Sequence, residues 1–350
     1  MEPRIDIDGR VISDSAPCYL IAEIGHNHQG DVEVAMKMID AAADAGAHAV
    51  KFQKRDNRGL YTKALFDQPY DHENSFGKTY GEHREAIELG MAEYVMLKEH
   101  ARKREVTLFA TAFDEASADF LEELGVPAYK IASGDVTNHP LLVHVAKKGK
   151  PVIMSTGAAT MEEVRAAYRV LTQHNDQICL MQCTAGYPVE DYGQLDLGVI
   201  GTYRREFPGA VIGFSSHDGG IVMPVVAYVL GARVVEKHFT LNRAMKGTDH
   251  AFSLEPGGLH RVARDLERTR LALMNDEKHF YPSERSARRK MGKSIVTARP
   301  VAAGTKISIE DVTFKSPLDG IPPSELDHVL GRAVATDLSE DTIIQWEHLR

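Results

Sequence analysis

Eight times in succession a short apolar run gives way to a stretch with helical periodicity, and this alternation limits the folds open to the chain. The runs are Tyr19–Ile24, Ala49–Gln53, Thr107–Thr111, Tyr129–Ala132, Val152–Ser155, Ile178–Gln182, Val211–Phe214 and Val234–His238. Between and after them come Val32–Ala45, Glu93–Arg104, Glu115–Leu124, Pro140–Lys147, Met161–Gln173, Gln194–Arg205, Met223–Leu230 and Leu259–Met274. Strands this short, separated by helices, imply βαβ units and a parallel sheet. Eight such units predict an α/β fold closed into a (β/α)8 TIM barrel rather than an open doubly wound sheet. No GxGxxG opens the first helix, which argues against a dinucleotide-binding fold. Ahead of the barrel, Ile5–Ile12 alternates apolar and polar residues around Gly9 and reads as a small hairpin.

The rhythm breaks twice. Residues 54–91 form a long polar stretch rich in Tyr, His and charge; a loop of that length is usually a lid or a partner contact, and its aromatics favour an ordered one. After Met274 the composition shifts to a charged, Arg-rich linker (SERSARRKMGK). Five short β runs follow (SIVTA, KISI, VTFK, AVATD and TIIQW), punctuated by AAGT, DGIPP and SEDT. The boundary is placed near residue 285, giving a barrel over 1–284 and a linker plus small β-rich module over 285–350. The full length of 350 residues suits a barrel of about 250 residues with such an addition.

Bulk chemistry narrows the class further. A formal charge of −9 lacks the basic face that nucleic acid requires. Cys18, Cys179 and Cys183 sit in apolar runs without metal-ligand spacing, as buried thiols in a reducing compartment do. No signal peptide opens the sequence and no run of 18 apolar residues occurs, so a cytoplasmic protein away from membranes is expected.

Function is written at the carboxyl ends of the strands, where barrels carry their chemistry. Glu23 closes the first strand, Lys51 and Gln53 the second, Thr111 the third. Lys130 opens the fourth, with Ser133 and Asp135 after it; Ser155 ends the fifth, Tyr187 lies beyond the sixth, and Ser215 and His217 end the seventh. Strand eight ends in Lys237 and His238, with Glu236 before them and Asp249 beyond. Either histidine alone is as readily a core or surface residue. Two of them at the ends of neighbouring strands could hold a borderline divalent metal, with carboxylates and waters completing its shell. Lysines and hydroxyls converging on one mouth suit a phosphate or carboxylate. Two alternatives stay open: a Schiff-base aldolase using Lys51 or Lys130 on a keto-acid, and a non-catalytic barrel that binds a sugar acid.

The motifs IAEIGHNHQGD (21–31), AGAHAVKFQ (45–53), YKIASGDVTNHPLL (129–142), MSTGAAT (154–160), QCTAGYP (182–188), GFSSHDGG (213–220), EKHFTL (236–241) and GTDHAFSLEP (247–256) resemble those of the sialic acid synthases, the phosphoenolpyruvate-dependent nonulosonate synthases. The stretch 294–317 is similar to their closing antifreeze-like (SAF) domain. The resemblance implies condensation of phosphoenolpyruvate with an open-chain N-acyl aminosugar aldehyde, with release of phosphate. It implies Mn²⁺ (or Mg²⁺ or Co²⁺) on His217 and His238, and Glu23 orienting a water. It assigns Lys51, Thr111, Lys130, Ser155 and Ser215, with Ser133 beside them, to phosphoenolpyruvate; Gln53, Asp135, Tyr187 and Asp249 fall to the sugar. It further implies a domain-swapped homodimer. The chain departs from the family pattern at Asp135, where Glu is common, at Ala185, where Asn is common, at His26 in the first loop, and at Lys315-Ser316-Pro317, which lacks a sugar-contacting Arg. These departures bear on the identity of the sugar.

Overall fold

The alternation closes. The computed structural model describes residues 2–350, which divide into two compact units, one ending at Met274 and one spanning Asn275–Arg350. The first opens with an antiparallel hairpin, β1 (Arg4–Ile7) and β2 (Arg10–Ser13), turning through Asp8 and Gly9 in the left-handed region. Eight strands then follow: β3 (Tyr19–Gly25), β4 (Ala49–Lys54), β5 (Thr107–Ala112), β6 (Tyr129–Ile131), β7 (Val152–Ser155), β8 (Ile178–Cys183), β9 (Val211–Ser216) and β10 (Val234–His238). They form one closed parallel barrel in chain order, β10 pairing back onto β3. Most strand residues are buried, because helices cover the sheet's outer face and side chains fill the inner one.

Local chemistry fixes the helix ends. Asp31, Asp114 and Thr160 accept backbone N–H groups as N-caps, and Thr160 with Glu163 forms a reciprocal capping box. Two boundaries differ from the periodicity by three residues or more. The helix expected over Gln194–Arg205 starts only at Gly198, because Asp196 takes a left-handed conformation after a single tight turn at Tyr192–Leu195. The last barrel helix starts at Pro256 instead of Leu259, proline being preset for the first helical turn.

The 54–91 stretch is folded. Three short helices, Asn57–Leu60, Lys63–Phe66 and Tyr80–Ala86, gather around rings packed edge-on or tilted: Tyr70 lies 5.6 Å from Tyr80 and 4.9 Å from His83, and Tyr61 lies 5.1 Å from Tyr80. Gly81 lets the Phe66 ring pack directly on the backbone, since a Cβ there would meet that ring at 2.4 Å.

The second unit has less regular structure than its five β runs suggest. Only β11 (Ser294–Thr297) and β12 (Val312–Lys315) pair as strands. The other runs contribute isolated bridges, Lys306 to Ala333, Val334 to Leu349 and Val296 to Ile343, because a turn interrupts each before a ladder can extend. Part of the expected linker is a short helix, Arg285–Met291. The core is a small cluster around Ile295, Ile321, Val329 and Ile344.

Gly213, on β9, stands where the barrel leaves no room for a side chain. A Cβ there would lie 2.9 Å from the Val234 carbonyl oxygen and 3.1 Å from Met181 Cγ. Gly213→Ala is therefore expected to destabilise the protein by about 1–3 kcal/mol through overpacking, read as a lowered urea midpoint with an unchanged slope.

Candidate active site

Side chains alternate along a strand, so register decides which groups meet at the barrel's carboxyl end. Pairing sets Glu23 beside Lys51, Gln53 beside Thr111, Thr111 beside Lys130, Ser215 beside Glu236, and His238 beside Glu23. All thirteen residues to which the resemblance gives a role line a single cavity of about 720 Å³ there.

Its floor is a buried charge network. Lys51 Nζ lies 2.8 Å from Glu23 Oε2 and 3.6 Å from Glu236 Oε1, and donates to Thr111 Oγ1 at 2.8 Å. Gln53 Nε2 donates to Glu23 Oε1 at 2.7 Å. Lys130 Nζ donates to Ser155 Oγ at 2.6 Å and to the Ile131 carbonyl at 3.0 Å, while Ser215 Oγ donates to Glu236 Oε1 at 3.1 Å. Burial, opposed by Lys51 and reinforced by Glu236, pushes Glu23 up to about 7. Burial also pushes on Glu236, but Lys130 and Lys51 outweigh it and hold that carboxyl at about 2. Burial works against the charge on Lys51, yet the two carboxylates overcome it and keep the amine above its ordinary range. When Glu23 carries its proton, two ammonium groups face one carboxylate. The floor then has a net positive charge and favours an anion.

The same electrostatics bear on Schiff-base chemistry. An amine held as ammonium has no lone pair, which removes Lys51 as a nucleophile near neutral pH. Burial lowers Lys130 towards the neutral form, though its proton remains tied to Ser155 and a carbonyl.

The imidazoles form one wall. The ring centroids of His217 and His238 are 5.2 Å apart. His217 Nδ1 lies 2.9 Å from the Thr184 carbonyl oxygen, which can only accept, so Nδ1 carries the hydrogen and Nε2 presents a lone pair. His238 Nδ1 is buried without a hydrogen-bond partner, 3.7 Å from Asp249 Oδ2. Burial holds His217 down at about 3 and His238 at about 4, so both are neutral donors. A free lone pair on one ring and an orphaned nitrogen on the other fit a divalent ion. Among the described residues no cluster of three or more His, Cys, Asp or Glu is placed to hold one, so water or substrate would complete its shell. Tyr187, 59% exposed, stands at the mouth with its ring 4.1 Å from that of His217.

Above the floor, Ser133 Oγ accepts the Gly157 N–H at 2.9 Å and Asp135 accepts from Asn138 Nδ2 at 3.2 Å. Burial raises the Asp135 carboxyl; for Asp249, burial also pushes upward, but His238, the Thr248 hydroxyl, His26 and Arg84 together outweigh it and the carboxyl is lowered. Several groups near the strand ends play other parts. Lys237 points away from the axis and pairs with Asp218 at 2.9 Å. Thr184 offers its carbonyl and not its hydroxyl. His26 packs against Arg55, and the buried His28 ring lies 5.7 Å from Phe52. Glu236, named only in passing above, is a central member, and strand parity with His238 was the signal for it. Arg55, Tyr61, Tyr80 and Arg84 also line the cavity; they come from the irregular 54–91 stretch and its edge, where no periodicity could place them.

Known proteins resemble this chain over most of its length. A model of the NeuB family matches residues 38–278, and a SAF domain model matches 292–350. The N-acetylneuraminate-9-phosphate synthase of Mus musculus is 37% identical over 97% of this chain and 94% of its own length. The N,N'-diacetyllegionaminic acid synthase of Legionella pneumophila is 35% identical over 96% of this chain and 95% of its own. Among solved structures, the N-acetylneuraminic acid (sialic acid) synthetase of Leptospira borgpetersenii, in complex with citrate, superimposes with a TM-score of 0.71 at 32% identity, covering 82% of this chain and 95% of that one.

Removing one partner from the floor should be costly. Lys51→Met leaves two buried carboxylates without their shared cation and is expected to lose about 3–5 kcal/mol of stability. Adding Glu23→Gln to that variant should restore part of the loss, as equilibrium urea unfolding of both would show.

Proposed function

Because the chain belongs to the NeuB family and carries a SAF domain, we propose that it joins phosphoenolpyruvate to the open-chain aldehyde of an N-acyl aminosugar. The enol carbon bonds to the aldehyde carbon, water adds at C2, and the C–O bond to phosphate breaks, leaving a 2-keto-3-deoxy sugar acid. The observation that carries this reading is a positive floor and a pair of neutral imidazoles in one cavity.

Lys51 and Lys130, with the hydroxyls of Thr111, Ser155 and Ser215 and with Ser133 nearby, bind the phosphate and carboxylate of phosphoenolpyruvate as charge-assisted donors. Binding a trianion there offsets the repulsion between the two lysines. Gln53, Asp135, Tyr187 and Asp249 line the space left for the sugar. Glu23, held by Lys51 and Gln53 and raised towards neutrality, orients the water that adds at C2 and relays a proton, giving its own to the departing phosphate as the water's replaces it. His217 and His238 would hold a divalent ion such as Mn²⁺, with Mg²⁺ or Co²⁺ as substitutes, and that ion would supply Lewis-acid polarisation of the aldehyde oxygen. A citrate complex of the Leptospira relative supports an anion site in this family. No helix among the described residues is long and apolar enough to cross a membrane, and the three unpaired buried thiols fit a reducing compartment such as the cytoplasm. A homodimer is part of the same reading.

Phosphate release from phosphoenolpyruvate should require both an N-acyl aminosugar and Mn²⁺, stop on chelation and return on adding the ion. His217→Ala should lower kcat by about 100-fold or more while leaving the folded state intact by circular dichroism. Full activity in that variant would remove its assigned role. Borohydride trapping of a pyruvate adduct on Lys130 would replace the whole scheme with the lysine-aldolase one.

A further inference from the structure

The outer side of the sheet carries a charge pair that the cavity does not use. Among the described residues of the barrel, every other buried Lys, Arg, Asp or Glu lines the cavity; Lys237 and Asp218 do not. Strand parity accounts for the difference. Ser215 on β9 and Glu236 and His238 on β10 face the axis, whereas Ser216 and Lys237, direct partners in the β9–β10 register, face away. The Asp218 carboxylate is fully engaged there. Its Oδ1 accepts from Lys237 Nζ at 2.9 Å and from the Ser216 hydroxyl, and its Oδ2 accepts the Gly220 N–H at 2.9 Å. Lys237 Nζ also donates to the Asp218 carbonyl and lies 3.4 Å from Ser216 Oγ. Neither side chain meets solvent, at 1% and 0% exposure.

Burying an ion pair this completely gains little stability over an apolar pair of similar volume, because desolvation cancels most of the attraction. What such a pair does supply is fixed geometry, and its position says what is fixed. Asp218 follows His217 by one residue and Lys237 precedes His238 by one, so the pair joins the two chain segments that carry the imidazoles. The turn after β9 has little stiffness of its own, since Gly219 and Gly220 come next. Other ties to its backbone are longer: the Val189 N–H reaches the His217 carbonyl at 3.3 Å, and Arg243 reaches the Gly219 carbonyl at 3.2 Å. Spacing matters here because no third His, Cys, Asp or Glu among the described residues completes a cluster with the two imidazoles. A displaced ring is therefore not compensated by another protein ligand. Groups that orient ligating side chains govern metal affinity without touching the metal.

We infer that Lys237 and Asp218, assisted by Ser216, are positioning residues for the dihistidine site. From outside the barrel they hold the rings of His217 and His238 at the 5.2 Å separation that lets both bind one divalent ion. The inference rests on the metal assignment proposed above and extends it to the groups that set the affinity.

The test uses the full-length protein, stripped of metal by a chelator and titrated with Mn²⁺ alone in a calorimeter. Asp218→Asn combined with Lys237→Met removes both charges together and keeps an oxygen to accept from Ser216 and Gly220. This double variant should stay folded by circular dichroism and bind Mn²⁺ about tenfold or more weakly than wild type. Its affinity for phosphoenolpyruvate without metal should be unchanged, because the floor is untouched. A purely structural pair would lower the urea midpoint and leave the Mn²⁺ affinity of the folded protein as it was; that result overturns the inference. Should the double variant not fold, Ser216→Ala takes one donor from Asp218 without stranding a charge. It should weaken Mn²⁺ binding by about threefold, a fraction of what one hydrogen bond contributes, and unchanged affinity there overturns the inference equally. Wild type and His217→Ala judge the metal assignment separately. If wild type binds no Mn²⁺, or His217→Ala binds it as tightly, the ion does not sit on the imidazoles and the inference falls with that assignment. Binding lost in His217→Ala but intact in the double variant sinks the positioning role alone.

Discussion

A lysine held between two buried glutamates is the constraint on which the barrel's mouth depends. Glu236, Glu23 and Lys51 come from three consecutive staves, β10, β3 and β4, and β10 reaches β3 only because the sheet closes. Taking three ions out of water costs several kcal/mol for each, and the cost is recovered only where partners are fixed at hydrogen-bond distance. An open sheet would leave Glu236 at an edge, free to move into water. Closure therefore does electrostatic work: it turns a set of polar strand ends into a network whose charges are aligned before a ligand enters.

That network explains why the carboxyls behave differently although both are buried. Glu236 is flanked by two lysines and stays ionised; Glu23 shares one of those lysines and also meets the charge of Glu236, so it moves towards neutrality. Two acids in one buried enclosure are thus pushed apart, one to hold cations in place and one to exchange a proton near neutral pH. The imidazoles beside them follow the same logic with opposite sign. Burial removes their protons and leaves lone pairs facing the cavity.

How much of this could be read from residue order depends on the element that carries each group. Strands with a strict period of two fix the face of every side chain once the pairing is known, so Lys51, Gln53, Thr111, Lys130, Ser155, Ser215 and His238 could be placed from position alone. The same parity would have placed Glu236 with His238 and turned Lys237 outward. The boundary at Gly198 was hidden because the left-handed turn at Asp196 interrupts a sequence that otherwise continues the helical pattern. Arg55 and Arg84 were invisible for a further reason: Arg55 is set against the Phe113 ring and Arg84 against Tyr80, contacts without a sequence period. The runs after Ser294 were read as five strands because β-propensity does not report whether a partner lies alongside.

The two halves of the cavity consequently differ in how tightly the fold controls them. The floor belongs to strands, where moving one residue by one position would reverse a whole stave and break the barrel's core. It can change little without loss of the fold. The upper wall belongs to loops and to the short helices of 54–91, where Asp135, Ala185, Arg55 and Arg84 can vary without disturbing any ladder. A chemistry common to relatives with differently named products is what such a division would produce. In the function proposed above, the condensation would be anchored to the sheet, and the sugar would be met by side chains that the sheet does not constrain.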